Sequence, residues 1–122
     1  MNIPQTIVRA AGVFLLVLGL LIWTGGFGGL VPIHMLVGFV LVLALWALAY
    51  LAHRAGVGIG LVGLAVVLGL VLPILGLTQA QIAPGEDVHV VVRIVHLALG
   101  LSAIGVAEAL GGATRRAAER AR

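Results

Sequence analysis

Four long apolar stretches, separated by short polar or glycine-rich segments, make up most of the chain. They run roughly over residues 7–24, 31–52, 58–77 and 88–110, and within them apolar residues are continuous rather than alternating with polar ones. A helix needs about 20 apolar residues to cross the hydrocarbon core of a bilayer. Because continuous runs of this length favour helices over strands, the pattern predicts an all-α protein with four membrane-spanning helices.

The segments between the apolar runs contain residues that begin or end helices. The GGFGG sequence at 25–29 breaks the chain after the first span, and Pro32 suits the first turn of the second span. The longest polar loop is expected at 78–87. Gly111–Gly112 is expected to cap the fourth span, with the basic tail 113–122 as a helical extension or a frayed end.

The composition places the protein in the lipid bilayer. Of its 122 residues 62% are hydrophobic and 9% are charged, whereas a soluble domain is about 25% charged. We therefore expect a multi-pass protein of the cell membrane. The chain has no cysteine, which excludes disulfides, thiolate metal sites and thiol redox chemistry. A pI near 11.2 would suggest nucleic acid in a soluble protein, but these arginines lie at predicted membrane edges, so no nucleic acid is expected.

The distribution of arginine predicts the orientation. Arg9, Arg54 and the arginines of the tail fall on one side of a four-span arrangement, and the other side carries a neutral glycine loop and the acidic pair Glu86–Asp87. Segments rich in arginine stay in the cytoplasm. The sequence therefore predicts an up-and-down four-helix bundle with both termini cytoplasmic.

Polar residues within two of the spans are the candidates for chemistry. The sequence His-x-x-x-Gly occurs at the start of the second span and again in the fourth. In the fourth span His89, Arg93 and His96 share one helix face, since residues three and four apart lie on the same face. Ionisable groups inside a membrane are costly and are usually functional. The candidate site residues are His34, Gly38, His89, Arg93, His96 and Gly100.

The two His-x-x-x-Gly sequences favour a haem site. Two inward-facing histidines on different helices can ligate one haem iron from both sides, and helix bundles build such sites in their cores. Gly38 and Gly100, each one turn beyond its histidine on the same face, would leave room for the flat porphyrin. We therefore expect one haem b with His34 and His96 as its metal ligands.

Two aspects of this site stay open in the sequence. Arg93, one turn from His96 toward the aqueous face, is expected to pair with a haem propionate, but Glu86–Asp87 competes for it. His89 is the alternative second ligand, because at about 1.5 Å per residue its depth matches that of His34 more closely. The glycines favour His96, since helix tilt can absorb a difference in depth; His89 would then be available for a quinone or a proton path.

Glu108, late in the fourth span, is the one carboxylate within an apolar run. Its expected role is a salt bridge with Arg9 or Arg54 near the cytoplasmic end. The alternative is a carboxylate that relays protons through the membrane.

The placement of His34 and His96 on the second and fourth helices resembles the four-helix haem-binding half of the haem A synthase family. The chain is also similar in architecture to other four-helix membrane b-type cytochromes, including the cytochrome b561 group. The resemblance implies that these two histidines ligate haem. The GGFGG loop lacks the glutamate and the cysteine pair typical of the synthases, and His53 lacks the inner-side partner of the b561 pattern. What the resemblance implies is therefore one haem, without synthase chemistry.

Three functions follow from these patterns. The first is electron transfer by a membrane b-type cytochrome between a quinol and an extracytoplasmic acceptor, because two imidazole ligands leave no open iron position. The second is a cofactor-free accessory subunit that docks through glycine-rich helix faces. The third, a small transporter, ranks last because the first three spans contain no acidic residue. The sequence leaves open whether the protein is an enzyme, a homo-oligomer or part of a larger membrane complex.

Overall fold

Four long helices account for nearly the whole protein. The computed structural model describes residues 2–82 and 85–122. Its α-helices are α1 (Ile3–Trp23), α2 (Val31–Arg54), α3 (Ile59–Ile82) and α4 (Glu86–Arg120), and a short 3-10 helix at Gly28–Leu30 precedes α2. Each of the four is long and apolar enough to cross a membrane. The predicted all-α class and the four predicted apolar helices are thereby confirmed.

A capping side chain and glycines with positive φ mark the ends of the helices. The side chain of Asn2 caps α1 by accepting a hydrogen bond of 2.9 Å from the backbone N–H of Gln5. Between α1 and α2, Gly25 and Gly26 have φ of 92° and 80°, and Gly56 after α2 has φ of 82°. Any side chain larger than hydrogen is strained in such backbone conformations. The predicted glycine break after the first span is thereby confirmed at Gly25 and Gly26.

The prediction that Gly111 and Gly112 cap the fourth helix is wrong. Helix α4 continues to Arg120, and most of the tail 113–122 is its helical extension. A glycine inside a helix costs only about 1 kcal/mol relative to alanine, and the alanine- and arginine-rich tail favours helix. Gly111 instead serves packing, because a Cβ at this position would collide with the side-chain amide of Gln5.

The polar loop expected at 78–87 is shorter than predicted. Helix α3 passes through Pro73 and continues to Ile82, and α4 already begins at Glu86. Thr78 fits inside α3 because its hydroxyl donates a 2.6 Å hydrogen bond to the carbonyl of Ile74. The centre of the predicted loop, residues 83 and 84, lies outside the described part of the chain.

The helices pack into one bundle with α4 in contact with each of the other three. The largest fully enclosed apolar side chains are Leu45, Leu48, Leu110 and Val8. The outer surface carries many large exposed hydrophobic side chains. Contiguous apolar surface of this extent is unusual for a protein dissolved in water, and it suits contact with lipid.

A polar network joins the beginning of α1 to the end of α4. The carboxylate of Glu108 accepts 2.5 Å hydrogen bonds from Nε and Nη2 of Arg9 and a 2.9 Å bond from Nε2 of Gln5. The Oε1 atom of Gln5 accepts a 3.0 Å bond from Arg115. The predicted salt bridge of Glu108 is thus confirmed with Arg9. The other candidate, Arg54, instead donates to the hydroxyl of Tyr50 within α2.

Candidate functional site

The imidazole rings of His34 and His96 face each other inside the bundle. Their centroids are 6.3 Å apart and their planes are inclined by 45°. His34 lies three residues after the first residue of α2 (34 − 31), whereas His96 lies ten residues after the first residue of α4 (96 − 86). The sequence predicts that the two histidines lie at different depths, but their rings lie side by side. The first turns of α4 therefore extend beyond the start of α2.

The two histidines line a cavity of about 230 Å³ to which all four helices contribute. Apolar pockets with a few convergent polar groups are typical ligand sites. The wall here is mainly leucine, isoleucine, valine and glycine. Its nitrogen-bearing side chains are Trp23, His34, Gln79, Arg93 and His96, and its glycines are Gly12, Gly19, Gly38, Gly76 and Gly100.

The predicted glycines lie beside open space in this cavity. A Cβ added at Gly38 or at Gly100 would meet no atom within 4 Å. The structure therefore brings His34, Gly38, His96 and Gly100 together around one cavity, as the two His-x-x-x-Gly sequences predict. A flat ligand between the rings would have free volume one helical turn along from each histidine.

Two further glycines lie opposite the histidine rings and were not predicted from the sequence. A Cβ at Gly19 of α1 would lie 3.4 Å from Cε1 of His34, and a Cβ at Gly76 of α3 would lie 3.3 Å from Cε1 of His96. No local sequence pattern identifies them, because the register between neighbouring helices decides which residue meets each ring.

The nitrogen atoms of the two rings differ in their surroundings. Within residues 2–82 and 85–122, Nδ1 of His34 and Nδ1 of His96 are buried without a hydrogen-bond partner. The Nε2 atoms of the same rings are not among the enclosed atoms without a partner. Leaving a buried polar atom unpaired costs about 1–3 kcal/mol. Both rings therefore carry a buried nitrogen atom that no group of the described chain satisfies.

The distance between the two ring centres can be compared with that of two imidazoles on opposite sides of one metal ion. A metal–imidazole nitrogen bond is about 2.0 Å, and the nitrogen is about 1.15 Å from the ring centre, so opposed rings have centres about 6.3 Å apart. The observed separation is 6.3 Å. Among the described residues, no group of three or more histidine, cysteine or acidic side chains could hold a metal.

Arg93 provides a positive charge in the wall of the same cavity. Its guanidinium has no hydrogen bond or ion pair within the described chain, and Glu86–Asp87, the competing partner expected from the sequence, does not pair with it. An uncompensated arginine within a membrane span is unfavourable. An anionic group on a bound ligand would offset this cost.

His89 lies outside the set of residues that line the cavity. It is near the start of α4, where its backbone N–H donates a 2.8 Å hydrogen bond to the carbonyl of Gly85. The structure thus brings His96, and not His89, to His34. The chain matches no protein-family model, no curated protein and no solved structure, so its function is inferred from the residues of the cavity.

Proposed function

We propose that the protein is a membrane b-type cytochrome that holds one haem b between His34 and His96 and transfers single electrons. The supporting observation is the pair of imidazoles from different helices, 6.3 Å apart across a cavity. When bound, haem ligated by two histidines supplies one-electron redox chemistry at an iron without an open position. Electron transfer is therefore favoured over oxygen chemistry.

Each cavity residue has a role in this proposal. His34 and His96 line the cavity and would ligate the iron from both sides through their imidazole nitrogens. Gly38 and Gly100 leave the volume that the edges of the porphyrin require. Arg93, unpaired in the described chain, would neutralise a propionate. The glycine and arginine positions thus suit a flat, apolar group that carries carboxylates at its rim.

The orientation in the membrane is part of the proposal. Arg9 and Arg115 lie at one end of the bundle, and their positive charges favour a cytoplasmic location for that end. The contacts of Gln5 of α1 with Glu108 and Arg115 of α4 support an up-and-down arrangement with both chain ends at the same end of the bundle. The cavity is then nearer the outer face. A quinol and an extracytoplasmic acceptor are the expected redox partners.

A visible absorption spectrum of the purified protein tests the proposal. Protein expressed with an adequate haem supply should show a sharp Soret band, with resolved α and β bands after dithionite reduction, at about one haem per chain. His34→Ala or His96→Ala should abolish haem retention, because each removes one of two ligands. His53→Ala is the matched control, since His53 is exposed at the far end of α2.

His89→Ala separates the two ligand pairs that the sequence leaves open. It should retain the wild-type spectrum if His96 is the second ligand. A colourless wild-type protein that also fails to bind added haem would refute the cytochrome. Unchanged haem content in His34→Ala or in His96→Ala would refute the assigned ligands.

An accessory subunit without a cofactor is the second candidate. A Cβ at Gly56, Gly60 or Gly63 would meet no atom within 4 Å, so part of the surface around the start of α3 could accept a closely packed helix. A colourless protein that co-purifies with one membrane partner would favour this function. A proton-relaying transporter gains no support, because Glu108 is already engaged by Arg9 and Gln5.

A further inference from the structure

Each cavity histidine rests against a glycine of the helix that precedes its own. Gly19 of α1 faces Cε1 of His34 in α2, and Gly76 of α3 faces Cε1 of His96 in α4. In both cases a side chain at the glycine position would reach the ring, at 3.4 Å and 3.3 Å respectively. An alanine Cβ would thus contact the ring at position 19 and be slightly too close at position 76, so a larger side chain at either position would have to displace the ring.

The two contacts are equivalent parts of two helical hairpins. The pair α1 and α2 supplies a glycine, a histidine, and a second glycine four residues after the histidine. The pair α3 and α4 supplies the same set in the same order. The members of these two sets are Gly19, His34 and Gly38, and Gly76, His96 and Gly100. The cavity is thus formed by two similar half-sites, one from each hairpin.

We propose that Gly19 and Gly76 are positioning residues that set the location and tilt of the two imidazoles, so that each hairpin forms one half of the ligand site. The atom in contact is Cε1, which is bonded to both ring nitrogens, and any displacement of Cε1 therefore moves Nε2. The identity of the bound group rests on the proposed cytochrome function. The positions of the imidazoles do not depend on it.

The two half-sites should differ in sensitivity. Carbon atoms attract each other best at about 3.5–4.0 Å, and the alanine Cβ at position 76 would be slightly closer to its ring than the one at position 19. Gly76→Ala should therefore displace His96 by a few tenths of an ångström, whereas Gly19→Ala should nearly preserve His34. Valine at either position adds a branched carbon toward the ring and should displace it in both half-sites.

Nuclear magnetic resonance of the haem-free protein tests the contacts directly. With histidine labelled at 13Cε1, Gly76→Val should shift the His96 resonance and leave that of His34 in place. Gly19→Val should do the reverse. Gly63→Val is the matched control in α3, because its side chain would enter open space, and it should move neither signal. If valine at 19 or 76 impairs folding, Gly76→Ala provides the milder variant with the same expected selectivity.

The haem-loaded protein gives an independent readout. The low-spin electron paramagnetic resonance signal of a bis-imidazole haem depends on the angle between the ring planes. Gly76→Ala should retain haem and change this signal. Gly63→Ala should also retain haem but leave the signal unchanged. In the nuclear magnetic resonance experiment, histidine resonances that shift equally in the variants at positions 19, 63 and 76, or in none of them, would overturn the positioning role. Selective shifts in a protein that never binds haem would uphold the half-sites and refute the cytochrome instead.

Discussion

Removing the carboxylate of Glu108 should destabilise the bundle more than removing its charge. The side chain of Gln5 is 0% exposed and donates a 2.9 Å hydrogen bond to Glu108. Glu108→Ala would leave that buried N–H without its acceptor, which costs about 1–3 kcal/mol. Hydrogen bonds within membrane bundles average about 0.6 kcal/mol by double-mutant cycles, so the lower part of that range applies.

The ion pair itself contributes less. The side chains of Arg9 and Glu108 are 48% and 36% exposed, and exposed ion pairs contribute little to stability. Glu108→Gln keeps an oxygen that can accept from Gln5 and loses only the charge. We therefore expect Arg9→Ala and Glu108→Gln to cost similar small amounts, and Glu108→Ala to cost about 1 kcal/mol more than either.

Reversible unfolding of the purified protein in mixed detergent, followed by circular dichroism, measures these differences. Adding Gln5→Leu to Glu108→Ala should recover part of the loss, because the buried amide that lacked a partner is gone. The reasoning fails if Arg9→Ala costs as much as Glu108→Ala. That result would mean that the exposed ion pair, rather than the buried amide, dominates the network.

Three further substitutions test the cavity and the packing. Arg93→Ala should weaken haem retention in repeated detergent washes while the reduced spectrum keeps its band positions, because it removes a charge partner and no iron ligand; an undiminished haem content would exclude a propionate contact. Gly100→Leu should fill the cavity beside His96 and lower the haem content of a protein with normal helix content by circular dichroism, and full haem occupancy would contradict the assigned space. Gly69→Ala should cost about 1–3 kcal/mol in unfolding, as overpacked cores do, because a Cβ there would overlap the indole of Trp46, whereas Gly60→Ala, which faces open space, should not destabilise.

The sequence predicted the features that depend on neighbours along the chain. The apolar runs and the glycine breaks identified four helices, because span length and backbone freedom are local properties. The capping role assigned to Gly111–Gly112 failed because glycine is ambiguous: it ends helices, but it also allows a second helix to approach. Only the position of Gln5, far away in sequence, shows that Gly111 has the second role.

For the candidate site, the sequence predicted which residues of a single helix lie on the same face. Helical spacing put His34 with Gly38 and His96 with Gly100, and the structure places all four around one cavity. Depth estimates counted from the ends of the apolar runs favoured His89 over His96, because such a count assumes that α2 and α4 begin at the same level of the bundle. The contacts of Gly19 and Gly76 depend on how the helices slide past one another, which no single-helix pattern contains.

The enclosed core side chains and the cavity lie in different parts of the bundle. Loss of haem in a histidine variant can therefore be distinguished from loss of stability. The fully enclosed side chains Leu45, Leu48 and Leu110 lie in the second half of α2 and far along α4, away from His34. Leu48→Ala should therefore cost about 2–5 kcal/mol, as large-to-small core changes do. His34→Ala should cost much less, because it removes a half-buried ring beside an existing cavity and also removes a buried nitrogen without a partner. A colourless His34→Ala protein that unfolds like the haem-free wild type has lost a ligand. One that unfolds as easily as Leu48→Ala would mean that His34 supports the fold, and loss of haem would then say nothing about ligation.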